Sequence, residues 1–497
     1  MKRVIALFSV ILVLNYFHKA VFCQENALSA VTGYEALQQK IQSLDSESDL
    51  LTTEIIGQSV EGRNLVAMKF SAGVFGTDDS KTKVLIFAQQ HGNEQSGKEG
   101  ALLLASWLLR TENQSILQNM DVAVVPQVNP DGSEANRRRN ANNADLNRNH
   151  LILTEPETQA LHHFFKQYLF EVTLDVHEYS PYSEEWKKYG YRKNTDVALG
   201  SCTNPSISAE LRELSNTQAL PYIMKHLEDM GFKSFVYCPG GPPELDYIRH
   251  STFDINDGRQ SFGIQQSFSF IQEGMNGTDM FAENIAFRAR GQMEGMAALL
   301  NFVHSNAAEI KETVHRERLA LFNADKTRKV SIQAIHVSDG RILRLPLFSY
   351  RSGRDTVVEV KDYRPVVRSI TDAALPLGYL IPITNNELNV WANRQGLVKS
   401  ALPSDKSLRY DHYFIHAIDS IDFEGDVTVD PVAELMPFKE LFVPGDYVFY
   451  PASQIKGNMM AIALEPKSIL GLVTYPLYSN LLVAGSFFPV IRVTEKD

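Results

Sequence analysis

The sequence predicts an α/β fold, a mixed and mainly parallel sheet flanked by helices, followed by an all-β, sandwich-like unit. Three observations carry that expectation. From Ile55 to about residue 176, short β-rich runs alternate with helical ones. Strands separated by helices form βαβ units, whose ligand sites lie at strand ends. A long helical stretch then runs from about Met280 to Phe322. Beyond Lys326-Thr327-Arg328-Lys329 the texture changes to short strands broken by Gly, Pro, Asn and Asp, the pattern of an antiparallel β unit.

In chain order, Lys2 and Arg3 precede an apolar run from Val4 to Leu14 and then a polar turn at Gln24-Glu25-Asn26. These are the charged and apolar regions of a signal peptide, and the run is too short for a membrane helix of ~20 residues. The expectation is an exported protein, periplasmic or secreted, with a signal at 1–23 and no stable membrane insertion after cleavage. A first unit at 30–322 follows, with strands at 65–70, 84–88, 122–128 and 172–176 and helices at 97–109 and 155–168. Thr154-Glu155-Pro156-Glu157 has the spacing of a capping box with proline in the first turn. In the long helix Ile285, Met293, Met296, Leu299 and Val303 recur at helical spacing. The β unit, 328–497, has strand-like runs at 330–337, 356–360, 413–418 and 447–450, and no helix-period segment of useful length.

With 497 residues the chain exceeds one ordinary core, and ~100 to 200 residues per domain suggests two or three. A hydrophobic share of 44% and a charged share of 22% are globular values. The net charge of -11 excludes the basic footprint that nucleic acid or an anionic membrane requires. Once Cys23 leaves with the signal, Cys202 and Cys238 remain, as one disulfide or as two buried thiols.

The chemistry begins with His91-Gly92-Asn93-Glu94, directly after the strand at 84–88. A histidine and a carboxylate three residues apart beyond a strand end can bend onto one metal ion. With 13 histidines and 59 acidic residues in 497, chance supplies about 1.5 such pairs, so the motif needs company. The turn sequence Asn129-Pro130-Asp131-Gly132 follows the strand at 122–128. Arg137-Arg138-Arg139-Asn140 and Asp145-Leu146-Asn147-Arg148-Asn149 come next, with planar guanidinium forks suited to carboxylates and oxyanions. His177 ends the strand at 172–176, and Glu273 ends a late apolar strand just before Gly274. Each alone has a bland reading: a solvated basic loop, a structural histidine, an exposed acid. Together, in one order and each at the C-terminal end of a strand, they do not.

On these residues the sequence resembles the zinc metallocarboxypeptidases of the carboxypeptidase A type over about residues 30 to 310. Beyond that it resembles the β-rich appendages of some exported bacterial members. The resemblance implies one zinc ion held by His91, Glu94 and His177, with water in the fourth position. It implies Glu273 as the general base that later protonates the leaving amine, and Arg138 as the group that stabilises the oxyanion. Asn147 and Arg148 would grip the substrate's terminal carboxylate, and Asp145 would orient a histidine ligand. Arg259, in Asp257-Gly258-Arg259, stands where relatives read the substrate side chain; it would favour an acidic one or form a structural pair with aspartate. The partner implied is a peptide or protein with a free C-terminus, cut at its last peptide bond. The alternatives are an amidase, endopeptidase or deacylase on the same fold, acting for example on cell-wall stem peptides, and a non-catalytic binding module, which the intact Glu273 disfavours. The interval from Glu94 to His177 is shorter than in digestive members, which predicts a more open cleft. The tyrosine that closes over substrate in that family has no clear match; Phe253 and Tyr247 stand nearest, and neither is assigned.

Overall fold

The computed structural model describes residues 31–277, 284–323, 327–404, 407–423, 426–439 and 443–496; the expected signal segment lies outside them. Its centre is an eight-stranded sheet. In chain order the strands are β1 (Leu51–Gln58), β2 (Asn64–Phe70), β3 (Thr82–Ala88), β4 (Met120–Val125), β5 (Val172–Tyr179), β6 (Val197–Ser201), β7 (Ser234–Val236) and β8 (Phe268–Met275). In space the order is β1-β2-β4-β3-β5-β8-β6-β7. The run β4-β3-β5-β8 is parallel, as is the β6-β7 edge, while β1-β2, β2-β4 and β8-β6 are antiparallel.

The centre of this sheet is apolar on both faces, as a parallel core requires. Alternate residues of β3 divide between two clusters: Val84, Ile86 and Ala88 face one way, Leu85 and Phe87 the other. The first face is covered by helices α1 (Tyr34–Glu47), α2 (Gln95–Leu108), α4 (Leu220–Asp229) and α5 (Ile285–Phe322). The second is covered by α3 (Pro156–Tyr168) through Leu161, Phe164 and Phe165. The cap of α3 differs from expectation. Its N-cap is Glu155, without a side-chain cap, because Thr154 Oγ1 is held by Asn149 Nδ2 at 2.7 Å.

The C-terminal half is β-rich, as expected, with a five-stranded antiparallel sheet ordered Val432–Pro437, Leu408–Ala417, Ser486–Glu495, Gly378–Pro382, Tyr447–Pro451. It also contains two helices that the sequence reading omits, Asn386–Arg394 and Gly457–Leu464. All eight residues of the second are buried, so it has no amphipathic period to read. Nor do the halves pack as separate bodies. Leu151, Phe253, Ile255 and Ile264 share one apolar cluster with Val330, Tyr379, Trp391 and Met460. Tyr191–Lys193 pairs with the strand Leu343–Ser349, and Ile248–Arg249 with Tyr363–Arg364. Cys202 and Cys238 are two free, buried thiols, each pushed up to about 12 chiefly by burial. Among the described residues no helix is long and apolar enough to cross a membrane.

Candidate metal centre and catalytic cleft

The motifs meet because two loops interlock beyond β3 and β4. Gln89 leaves β3 with φ 58°, a left-handed turn that L-residues adopt at a cost of about 1 kcal/mol. It is repaid by the Gln89 amide, which donates to Gly92 O at 3.0 Å and to Ser133 Oγ at 2.9 Å. A Cβ at Gly92 would fall 2.1 Å from the Gly132 carbonyl carbon, so glycine is required where the metal-motif loop passes over the Asn129-Pro130-Asp131-Gly132 turn. Asn129 closes that turn by accepting from Gly132 N at 2.8 Å, and its amide ties back to Gln90 O at 3.0 Å. The turn is scaffold for the motif that precedes it.

His91, Glu94 and His177 then converge. Glu94 Oε1 lies 2.7 Å from His91 Nδ1, Glu94 Oε2 lies 3.0 Å from His177 Nδ1, and the two Nδ1 atoms are 3.2 Å apart. Every far ring nitrogen is already engaged: His91 Nε2 faces Asp145 Oδ1 at 3.1 Å, and His177 Nε2 faces Asp175 Oδ1 at 2.7 Å. Those carboxylates call for an N–H on each Nε2, which leaves each Nδ1 with a lone pair turned inward. Two imidazole lone pairs and a carboxylate pointing at one spot repel one another unless a cation lies between them. The donor set, two nitrogens and one carboxylate, suits zinc. Among the described residues, this is the single His/Cys/Asp/Glu group with atoms close enough to hold an ion. Burial pushes the Glu94 carboxyl up, but His91 and His177 more than reverse it and hold it far below the ordinary range. Burial likewise raises Asp145, and His91, Arg138 and Arg148 together bring it well down.

A further layer, absent from the sequence reading, fixes the ligands. Gln90 Nε2 donates to both Asp175 oxygens at 2.9 and 3.0 Å, and Gln90 Oε1 meets His150 Nε2 at 2.7 Å. Helix α5 braces the strand end: Gln292 donates to His177 O at 2.8 Å, and Arg288 pairs with buried Glu178 at 2.7 Å. Asp175 carried a readable signal. It sits two residues before His177 on one strand face, a charge in an otherwise apolar run.

Glu273 stands opposite His177 in the β8-β5 register. It is buried, and burial first, with Glu94 adding, pushes its carboxyl up to about 7 against the opposing pull of His177 and His91. Arg138 reaches the ligands from the solvent side: its side chain is 44% exposed, with one guanidinium nitrogen 3.0 Å from Asp145 and another 3.7 Å from Glu94. Arg148 is exposed, donates to Asn147 O at 2.7 Å, and lies in the field of Asp145, Asp257 and Asp254.

Two of the expected substrate residues are buried. Asn147 is buried, its Oδ1 accepting from Gly258 N at 2.8 Å and its Nδ2 lying 3.1 Å from His177 Nε2. Arg259 is wholly buried, pairing with Asp257 at 2.8 Å and donating to Thr252 Oγ1 at 2.6 Å and to Ser251. It forms the structural Arg–Asp pair and is closed to a substrate side chain. Phe253 is also wholly buried, and Tyr247 lies under Arg364, whose guanidinium carbon is 3.8 Å from the ring centroid. The phenol that shares the electrostatic environment of Glu273, Arg259 and Arg148 is Tyr237, which the sequence reading passes over.

Residues 37–229 match the family model described as zinc carboxypeptidase. Carboxypeptidase 2 of Trichophyton rubrum is 23% identical over 454 residues, covering 88% of this chain and 81% of its own length. A carboxypeptidase of Arabidopsis thaliana, SOL1, is 31% identical over 234 residues, 41% of this chain and 45% of its own. The solved metallo-carboxypeptidase from Pseudomonas aeruginosa is similar with a TM-score of 0.42 and 21% identity, covering 54% of this chain and 69% of that one. The T. rubrum relative, whose match extends into the β-rich half, is fungal, whereas the sequence reading looked to bacterial relatives for that half.

Proposed function

We propose that this chain, a metal-dependent carboxypeptidase by its family match and its relatives, removes single C-terminal residues from peptides through zinc chemistry at His91, Glu94 and His177. The observation that carries the reading is the convergence of two imidazoles, whose outer nitrogens are already bound, and one carboxylate, beside a buried carboxyl registered against His177. A bound zinc ion supplies positive charge that polarises the scissile carbonyl and acidifies the attacking water.

The chain's residues do the rest. Glu273 accepts the proton of the attacking water at its carboxylate and returns it to the leaving amine, work suited to a carboxyl raised toward neutrality. Arg138 holds a guanidinium beside Glu94, where negative charge grows on the former carbonyl oxygen. Arg148 offers a planar fork to the terminal carboxylate, which makes a free C-terminus a requirement. The test is a set of peptides differing at the last residue, some amidated, incubated with zinc-loaded protein and read by mass spectrometry. Loss of single residues from free acids alone, abolished by chelator and by Glu273→Gln, is expected; internal cleavage, or equal cleavage of amidated peptides, rejects the reading.

A further inference from the structure

We propose that the C-terminal β-rich half builds the carboxylate-binding corner of the cleft: Trp391 and Gln395 clamp the loop that carries Arg148, and Tyr475 supplies part of the wall. This rests on the reading of Arg148 as the residue that binds the substrate's terminal carboxylate.

Arg148 ends a single 3-10 turn, Leu146–Arg148, capped by Asp145, and the chain then leaves through His150 and Leu151. So short a turn does not fix its own orientation. Besides its bonds to Gln90, Asn256 and Gly258, the loop is held from about 240 residues away: the Gln395 amide donates to His150 O at 3.1 Å and to Leu151 O at 2.6 Å, and the Trp391 indole donates to Leu151 O at 2.9 Å. Both donors are buried on one C-terminal helix and its end, and Lys456 Nζ fixes the Gln395 carbonyl at 2.7 Å. Two successive buried carbonyls are thus satisfied by side chains of the other half, and without them each would be left buried and short of a donor. A unit that merely docked would bury apolar surface without selecting those two carbonyls.

The second contact reaches the cleft itself. His150 N donates to Asn256 O at 3.2 Å, and Tyr475 lies beside Asn256, in the field of Asp254 and Arg148. Asn256 immediately precedes Asp257 and Gly258, and Gly258 N donates to Asn147 at 2.8 Å. Tyr475 therefore belongs to the same wall as Arg148. Trp391, Gln395 and Tyr475 are positioning residues: they act on substrate through the placement of Arg148.

The experiment compares the full zinc-loaded chain with Gln395→Met, Trp391→Phe and, as reference, Arg148→Ala, measuring kcat, KM and the inhibition constant of a released amino acid. Gln395→Met and Trp391→Phe are expected to raise KM and the product inhibition constant by at least about 5-fold each, the worth of one hydrogen bond, with kcat within about two-fold. Gln395→Met keeps the length of the side chain and tests the clamp even if Trp391→Phe folds poorly. Unchanged KM and product inhibition in Gln395→Met, while Arg148→Ala raises both, overturns the inference alone. Unchanged values in Arg148→Ala overturn the carboxylate reading beneath it.

Discussion

Two clusters of this molecule bury carboxylates beside cationic or ionisable partners, and only one of them has donors left to give. At the ends of β3 and β5, Glu94 lies between His91 and His177, whose outer nitrogens are bound to Asp145 and Asp175 while their inner ones point at a common centre. In the C-terminal half, Glu465 is equally buried, yet it faces Arg492 directly and accepts from the Tyr379 hydroxyl at 2.8 Å. There each charge finds its opposite inside the protein, and what remains is one carboxylate oxygen and one guanidinium nitrogen without partners. Burial of charge is therefore no mark of function. The mark is a set of lone pairs that cannot be satisfied by one another.

The largest expected effect separates the clusters by activity. Glu273→Gln removes the proton acceptor but keeps shape, and kcat should fall about 10³-fold, measured by steady-state hydrolysis of a free-acid peptide; persistent activity reassigns the base. Next, Glu465→Gln leaves the Arg492 charge buried without its counterion and should lower stability by about 3 kcal/mol. Denaturant unfolding reads that loss, while kcat per folded molecule stays at the parent value; a loss of activity without a loss of stability would make the second cluster functional. A smaller effect is expected from Asp175→Asn, which keeps the bulk behind His177 but removes the charge that holds its Nε2 proton. Zinc affinity by chelator competition should fall about 10-fold.

The same contrast explains what the sequence could say. The fold was legible where a strand is buried on both faces, as in β3, and the metal donors were legible because His91, Glu94 and His177 sit at or just past strand ends. Asp175 was legible too, by its two-residue spacing from His177. The burial of Arg259 was not: it depends on Ser251 and Thr252 arriving beside Asp257, an event of tertiary packing. Residues 457–464 gave no helical period because every side chain is buried, and β6 is only five residues long. The boundary near residue 325 shows in the texture of the chain, but the hydrogen bond from Trp391 to Leu151 spans 240 residues that no local pattern records.

The smallest prediction tests whether the second cluster is a closed set or a partly open one. Tyr379 is 1% exposed, and its hydroxyl is one of the groups that stabilise the Glu465 carboxylate. Tyr379→Phe keeps the ring in the core and removes one donor, while Arg492 still faces Glu465. A hydrogen bond to a charged group contributes about 1.5 kcal/mol, so the unfolding free energy should drop by that amount, read as a lower denaturant midpoint at unchanged slope. Glu465→Gln in the same background should then cost less than it does alone, because the two changes share one acceptor. Additive losses would mean that the Tyr379 hydroxyl and the Glu465 carboxylate do not couple, contrary to the hydrogen bond between them.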